Sequence, residues 1–396
     1  MELILAAFLM AWGGVNAEQP GLTVEQVAQA SLDSKNMTAS QPQGVAATPA
    51  SNPGDPLLPL TKLDPQPDAP KVKGIYATAH SAAGARMSTL LKLLDETELN
   101  AMVIDVKDDW GYITYNTGNP TLLAMDTTKK IIPDISKLMT TLKEHDIYPI
   151  ARVVVFKDTI LAKKKPELSF QNPDGTVWGN NKNPSDSFVN PYQKEVWDYN
   201  IEVAKEAAKA GFKEIQFDYV RFPEGFEKRA DILSYYKDER SRIQAVAEFV
   251  KYAHEQLAPL GVRVSVDIFG YAASVPAAEG IGQDFQKISQ NVDVICPMIY
   301  PSHYTTGWFG SKVPDAAPYA TIAGATKDTH KKLEPLGDIK PVVRPWIQDF
   351  TASWVPGYIR YGKQQVEDQI RALNDNGVEE FLLWNAVNTY TPGVNY

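Results

Sequence analysis

The chain has 396 residues, 44% of them hydrophobic and 22% charged. That is enough for one large core and too apolar for a wholly disordered protein. Its formal net charge of −9 has the wrong sign for a nucleic-acid surface, and its one cysteine excludes an internal disulfide or a Cys-rich zinc site.

Residues 3–12, LILAAFLMAW, form an apolar run. As a helix it would be about 15 Å long, too short for a bilayer core of about 30 Å. Small or neutral residues at Val15 and Ala17 fit signal-peptidase cleavage after Ala17. We therefore expect an export signal over 1–17, although no Lys or Arg precedes Lys35. The competing readings are an ordinary buried segment or a wrongly assigned start. Residues 18–70 read as a disordered, Pro-rich linker, with 8 of the 28 prolines in 37–70 and no hydrophobic period. No later segment is apolar for 18 residues, so the mature chain is expected to have no membrane span and to be secreted or held at the cell envelope.

From Lys71 onward, short β-branched runs alternate with amphipathic stretches. The predicted strands are 72–77, 101–106, 148–156, 214–219, 263–268, 292–300, 340–347 and 379–384. Helices are predicted over 87–98, 133–146, 191–210, 234–257, 284–290, 316–332 and 362–376. Gly211, Gly261 and Gly377 each stand where a helix should stop before a strand. Eight strands alternating with helices predict an α/β fold, a (β/α)8 TIM barrel over 71–396. An open doubly wound sheet is the alternative, but no glycine fingerprint follows the first strand. The chain ends soon after the eighth strand, so the eighth helix is expected to be short or absent.

Barrel chemistry sits at the C-terminal strand ends, and here those ends are polar and aromatic. Asp218 lies in an apolar strand, where an unpaired carboxylate would be costly. Strand alternation puts it with Gln216 on one side, opposite Phe217 and Tyr219. Asp267 occupies the equivalent place on the next strand. Neighbouring strands lie about 4.8 Å apart, so the two carboxyl groups should approach to about 5–6 Å, the spacing of a retaining glycosidase pair. The competing reading is a barrel salt bridge to Arg221, Arg263 or Lys107. Asp105 and Lys107 are read as sharing one side of the second strand, either beside Asp218 or as an ion pair that shapes the lumen. Asp108 and Asp109 read as a solvated loop rather than a cation site.

Trp110, Tyr219, Arg221, Tyr300, His303, Trp346, Gln348, Trp384 and Asn385 complete the candidate substrate-binding set. Sugar rings offer apolar faces to aromatics, and hydroxyls to Asp, Asn, Arg and Gln. The alternative for each aromatic is that it merely seals the barrel top. Five histidines without HxxxH or HExxH spacing, and no GxSxG or P-loop, leave metal-dependent hydrolysis, a nucleophile elbow and nucleotide binding unsupported. No cofactor or metal is expected. The expected partner is a carbohydrate substrate, met by a monomer.

The blocks KGIYATAHSA, VIDVKDDWG, ARVVVFKD, GFKEIQFDYVRFP, VSVDIFG and CPMIYPSHY resemble a bacterial family of glycoside-hydrolase-type barrels catalogued as a domain of unknown function. The resemblance implies a (β/α)8 barrel distantly similar to the α-amylase and α-galactosidase groups. It also implies that Asp218 occupies the place of their strand-four nucleophile. In amylases the acid/base is a strand-five Glu, where this sequence has Asp267. The expectation is thus a retaining glycosidase. The rivals are a non-catalytic carbohydrate-binding barrel of the cell envelope, and a lyase or transglycosidase using the same cleft.

Overall fold

A computed structural model of the protein describes residues 66, 68–179 and 186–396. The predicted export signal and nearly all of the linker lie outside the described residues.

Nine strand segments form one closed parallel sheet: β1 Lys73–Ala77, β2 Ala101–Lys107, β3 Tyr148–Val154, β4 Glu214–Asp218, β5 Arg263–Phe269, β6 Val294–Met298, β7 Val342–Val343, β8 Trp346–Gln348 and β9 Phe381–Trp384. Neighbours pair in sequence from β1 to β6, β6 pairs with both β7 and β8, and β9 returns to β1. The segments β7 and β8 are one barrel strand, predicted as 340–347 and interrupted at Arg344 and Pro345. Proline has no N–H for the ladder, and the strand resumes one residue later. The fold is the expected (β/α)8 barrel.

The crossover helices follow the apolar spacing, and several of them carry side-chain N-caps. In chain order they are α1 Ala79–Ala83, α2 Arg86–Asp95, α3 Pro120–Ala124, α4 Ile135–Glu144, α5 Thr159–Lys164, α6 Lys194–Ala210, α7 Arg242–Leu257, α8 Phe285–Ser289, α9 Pro318–Leu333 and α10 Lys363–Asp375. Predicted helix starts shift where a cap wins. Asp134 accepts from the Lys137 N–H, so α4 begins after Pro133 rather than on it. Ser241 and Gln244 form a capping box, so α7 begins eight residues later than expected. The displaced segment instead pairs Ser234 with Gln171, each amide donating to the other's carbonyl at 2.9 Å. The described part of the long loop after β3 thereby packs against the loop after β4. Residues 385–396 form turns without a helix. No helix among the described residues is long and apolar enough to cross a membrane.

Two apolar layers result. The larger lies between strands and helices, and includes Ile104, Val153, Phe217, Val266 and Ile295. The smaller fills the barrel and includes Val103, Ile150, Cys296, Met298, Trp346 and Trp384. Cys296 therefore packs inside the barrel. At the floor of the lumen Arg344, fully buried, pairs with Glu214 at 2.7 Å and Glu380 at 2.8 Å.

A register shift between Asp105 and Lys107 marks a β-bulge in β2. It breaks the simple alternation that would put both residues on one side. Asp105 faces the lumen, bonded to Tyr76. Lys107 lies in the outer layer, where its Nζ meets Asp158 at 2.6 Å and donates to Asn200 of α6 at 3.0 Å. Asp158 also caps α5 through the Leu161 N–H. Gly111 crosses directly over this carboxylate with φ of +100°, and a Cβ there would lie 1.9 Å from Asp158 Oδ1. Only glycine fits. Removing one member of a buried ion pair strands the other. We predict that Lys107→Met lowers stability by about 3–5 kcal/mol. The double variant Lys107→Met/Asp158→Asn should recover a substantial part. Equilibrium denaturation of both variants checks this; a double variant no more stable than the single one would contradict the pairing.

Candidate active site

The top of the lumen is organised by Arg152 of β3, which is 1% exposed. It stands level with Asp105 in the β2–β3 register and with Gln216 in the β3–β4 register. Its guanidinium fans out to three carboxylates. Nη1 donates to Asp105 Oδ1 at 2.7 Å, Nη2 to Asp109 Oδ1 at 2.7 Å, and Nε and Nη2 to Asp218 Oδ2 at 2.9 and 2.7 Å. Each bond is charge-assisted, the strong class of hydrogen bond. Its cationic plane also lies 5.6 Å from the Tyr76 ring and 5.9 Å from the Trp384 ring. Those two rings stack on each other at 4.3 Å.

Asp218 ends β4. Its second oxygen, Oδ1, accepts from the Tyr219 N–H at 2.6 Å, so both oxygens are held. Phe217 pairs with Val266 across β4 and β5, which sets Asp218 beside Asp267 one position further up. Asp267 has different company. Its Oδ1 accepts from Trp346 Nε1 at 2.7 Å, and no cation among the described residues forms an ion pair with it. Burial raises the Asp218 carboxyl above the usual range, against the pull of Arg152. Asp267 is raised well above that range, by burial first and then by the Asp218 charge. Two adjacent carboxyl groups thus sit in unequal surroundings, one fixed by a guanidinium and one by an indole N–H.

The supporting carboxyls also differ. Asp105, bonded to the Tyr76 hydroxyl at 2.6 Å, is pushed up to about 6 by burial despite Arg152. Burial would raise Asp109 too, but Arg152 and Lys157 hold it below the usual range. Asp108 turns the other way, its Oδ1 accepting from the backbone N–H groups of Trp110, Gly111 and Tyr112, and burial pushes it up to about 6. Among the described residues no group of three or more His, Cys, Asp or Glu is arranged to hold a metal ion. Where Asp105, Asp109 and Asp218 converge, a guanidinium fills the cation's place.

The structure brings Asp105, Asp218, Asp267, Trp346 and Trp384 together at the lumen top, with Tyr300 above them. Tyr300 is 1% exposed, and its Oη has no hydrogen-bond partner among the described residues. His303 packs against it at 5.0 Å and bonds Ser302 through Nδ1 at 2.9 Å. Burial drives the His303 imidazole down to about 3, so it is neutral. Tyr219 turns into the left-handed region with φ of 53° and packs outward toward Phe188. Arg221 is sandwiched 4.7 Å from both the Tyr219 and Phe269 rings and pairs with Glu224 at 2.7 Å.

Other candidates lie elsewhere or are already engaged. Lys107 is in the outer layer, apart from Asp105. Trp110 is 41% exposed on the loop after β2. Gln348 spends its amide on Ser302, Asp315 and the Phe350 carbonyl. Asn385 spends its own on Asp349 and Val387. Sequence reasoning does not single out Arg152, Tyr76 or Asp109 as site residues. The signal for Arg152 was present: a lone charge in an apolar strand, two residues after Ile150 and so on the same face.

Comparison with known proteins shows the fold and the family. A structure of the PgaB (BpsB) glycoside hydrolase domain from Bordetella bronchiseptica aligns with a TM-score of 0.55 at 12% identity, covering 80% of this chain and 94% of that one. A hypothetical protein from Ruminiclostridium thermocellum is 36% identical, covering 49% of this chain and 96% of that one, with a TM-score of 0.44. No match is found among curated proteins. The sequence pattern of a family described as "putative glycosyl hydrolase domain" matches residues 74–390, and the chain belongs to that family.

Proposed function

We propose that the protein is a retaining glycosidase acting on an extracellular or cell-wall polysaccharide, with Asp218 as nucleophile and Asp267 as acid/base. The observation that carries this reading is the register-matched pair on β4 and β5 in unequal environments. Retaining hydrolysis needs two carboxyls about 5–5.5 Å apart, one ionised and one protonated. Contact with Arg152 favours the anion at Asp218. Burial and the neighbouring negative charge favour the neutral acid at Asp267.

The steps follow from those states. Asp267 donates its proton to the glycosidic oxygen as the Asp218 carboxylate attacks the anomeric carbon. The C–O bond to the leaving sugar breaks, and a glycosyl ester forms on Asp218. Asp267, now anionic, takes a proton from water, whose oxygen attacks the same carbon and releases Asp218. Arg152 keeps Asp218 oriented throughout. The Tyr76–Trp384 stack and Trp346 supply apolar faces for the ring, and Tyr300 supplies a hydroxyl.

The competing reading is a non-catalytic glycan-binding barrel. It is favoured by one observation, the ionic engagement of Asp218 with Arg152, which a purely architectural carboxylate would also show. Digestion of a glycan library by wild type beside Asp218→Asn separates the two. We expect wild type to release oligosaccharides from at least one glycan and Asp218→Asn to lose about 10³-fold or more in rate. Full activity in the variant would remove Asp218 from the mechanism.

The pH dependence of the rate tests Asp267. The first step needs Asp267 protonated, so the rate falls as pH rises through its elevated pKa and holds below it until Asp218 is protonated. We expect Asp267→Asn to abolish that alkaline limb and to cost about 10²–10⁴-fold on the natural glycan. On a dinitrophenyl glycoside, whose leaving group needs no proton, the first step should survive. An unchanged alkaline limb in the variant would assign the acid elsewhere.

A further inference from the structure

A chain of aromatic rings leads from the carboxyl pair out of the barrel. Trp346 holds Asp267 from β8. Tyr300, past the end of β6, lies in the same lumen cluster. Its ring centroid is 6.1 Å from that of Phe350, and Phe350 stacks on Trp354 at 5.9 Å with planes 16° apart. Burial thins along the chain: Tyr300 is buried, while Phe350 and Trp354 are half-buried. Both belong to the loop after β8, on the face that carries Asp218 and Asp267.

That loop is braced from below. Gln348 Nε2 donates to the Phe350 carbonyl and to Asp315, each at 3.0 Å. Asp349 accepts from the Thr391 N–H at 2.9 Å and from its hydroxyl. An aromatic platform held this way loses little conformational freedom when a ligand stacks on it. The inner end carries the unpartnered Tyr300 hydroxyl. Leaving such a group buried and unpaired is costly, a cost that a ligand hydroxyl or acyl oxygen would relieve. Flat apolar faces outside and a buried hydroxyl inside match the two chemistries of a sugar unit.

We infer that Tyr300, Phe350 and Trp354 form a sugar-binding subsite adjoining the Asp218–Asp267 pair, so that the protein grips several consecutive units of a glycan rather than a single terminal residue. This rests on the glycosidase reading above, which it deepens. Affinity is then expected to rise with chain length, and the rise belongs to Trp354 and Phe350.

The test uses the full-length Asp218→Asn protein, and Asp267→Asn as a second inactive background, each verified as folded by its melting temperature. Titration calorimetry measures binding of cellohexaose, xylohexaose, chitohexaose and maltohexaose, each beside its disaccharide. At least one hexaose should bind 10-fold or more tightly than its dimer. Adding Trp354→Ala or Phe350→Leu should reduce that ratio to within 2-fold and leave the dimer affinity unchanged. Trp354→Phe, which keeps a stacked ring, should preserve most of it. Equal binding of hexaose and dimer, binding of none of the four hexaoses, or a ratio that survives Trp354→Ala overturns the subsite. Library digestion by wild type is scored separately. Hydrolysis without length-dependent binding rejects only the subsite, and length-dependent binding without hydrolysis rejects only the catalytic assignment.

Discussion

The upper lumen depends on one buried guanidinium. Arg152 is 1% exposed and touches Asp105, Asp109 and Asp218 at once. Burying a charge costs several kcal/mol unless the geometry is excellent and its hydrogen bonds are met. Here the donors are aimed at carboxylates on β2, on its following loop and on β4, and two aromatic rings flank the planar cation. Without Arg152, three carboxylates would crowd a poorly solvated space, and each would be driven toward its neutral form. Asp267, one strand further round, lies beyond its direct contacts. The contrast between Asp218 and Asp267 is therefore a matter of distance from a single cation.

The bulge in β2 separates two charge systems that would otherwise merge. It leaves Asp105 in the lumen and moves Lys107 to the helix side, where Lys107 and Asp158 neutralise each other beneath the Gly111 turn. The same turn carries Asp108, which knots the loop through three backbone amides, and Trp110, whose carbonyl accepts from Thr159 and Ile160. The loops after β2 and β3 are thus tied together outside the barrel, and the lumen side is left to Arg152 and its partners. A second cation in the lumen would have competed with Arg152 for Asp105 and Asp218.

The barrel was legible because its strands are apolar on both faces and its helices carry recognisable stops, as at Gly211. The neighbouring positions of Asp218 and Asp267 were legible for a related reason: both occupy matching places on consecutive strands, and parallel register preserves that match. Lys107 was misplaced because period-two alternation cannot register a bulge. Arg152 passed unmarked because a single cation in a strand gives no hint of how many partners it will find; three partners from three chain segments are visible only in space. Gln348 and Asn385 match sugar ligands by type and position, and in the structure both amides also brace loops. Residue type at a strand end tells where chemistry can occur, and hydrogen-bond accounting tells which groups are left to perform it.

Retention of configuration requires two carboxyls acting from opposite sides of one anomeric carbon through a covalent intermediate. Proton NMR of the first product released from a hydrolysed glycan, recorded before mutarotation, reads this directly. The proposed retaining mechanism predicts a first product with the anomeric configuration of the substrate. A first product of inverted configuration would contradict it, since Asp218 could not then have formed a glycosyl ester.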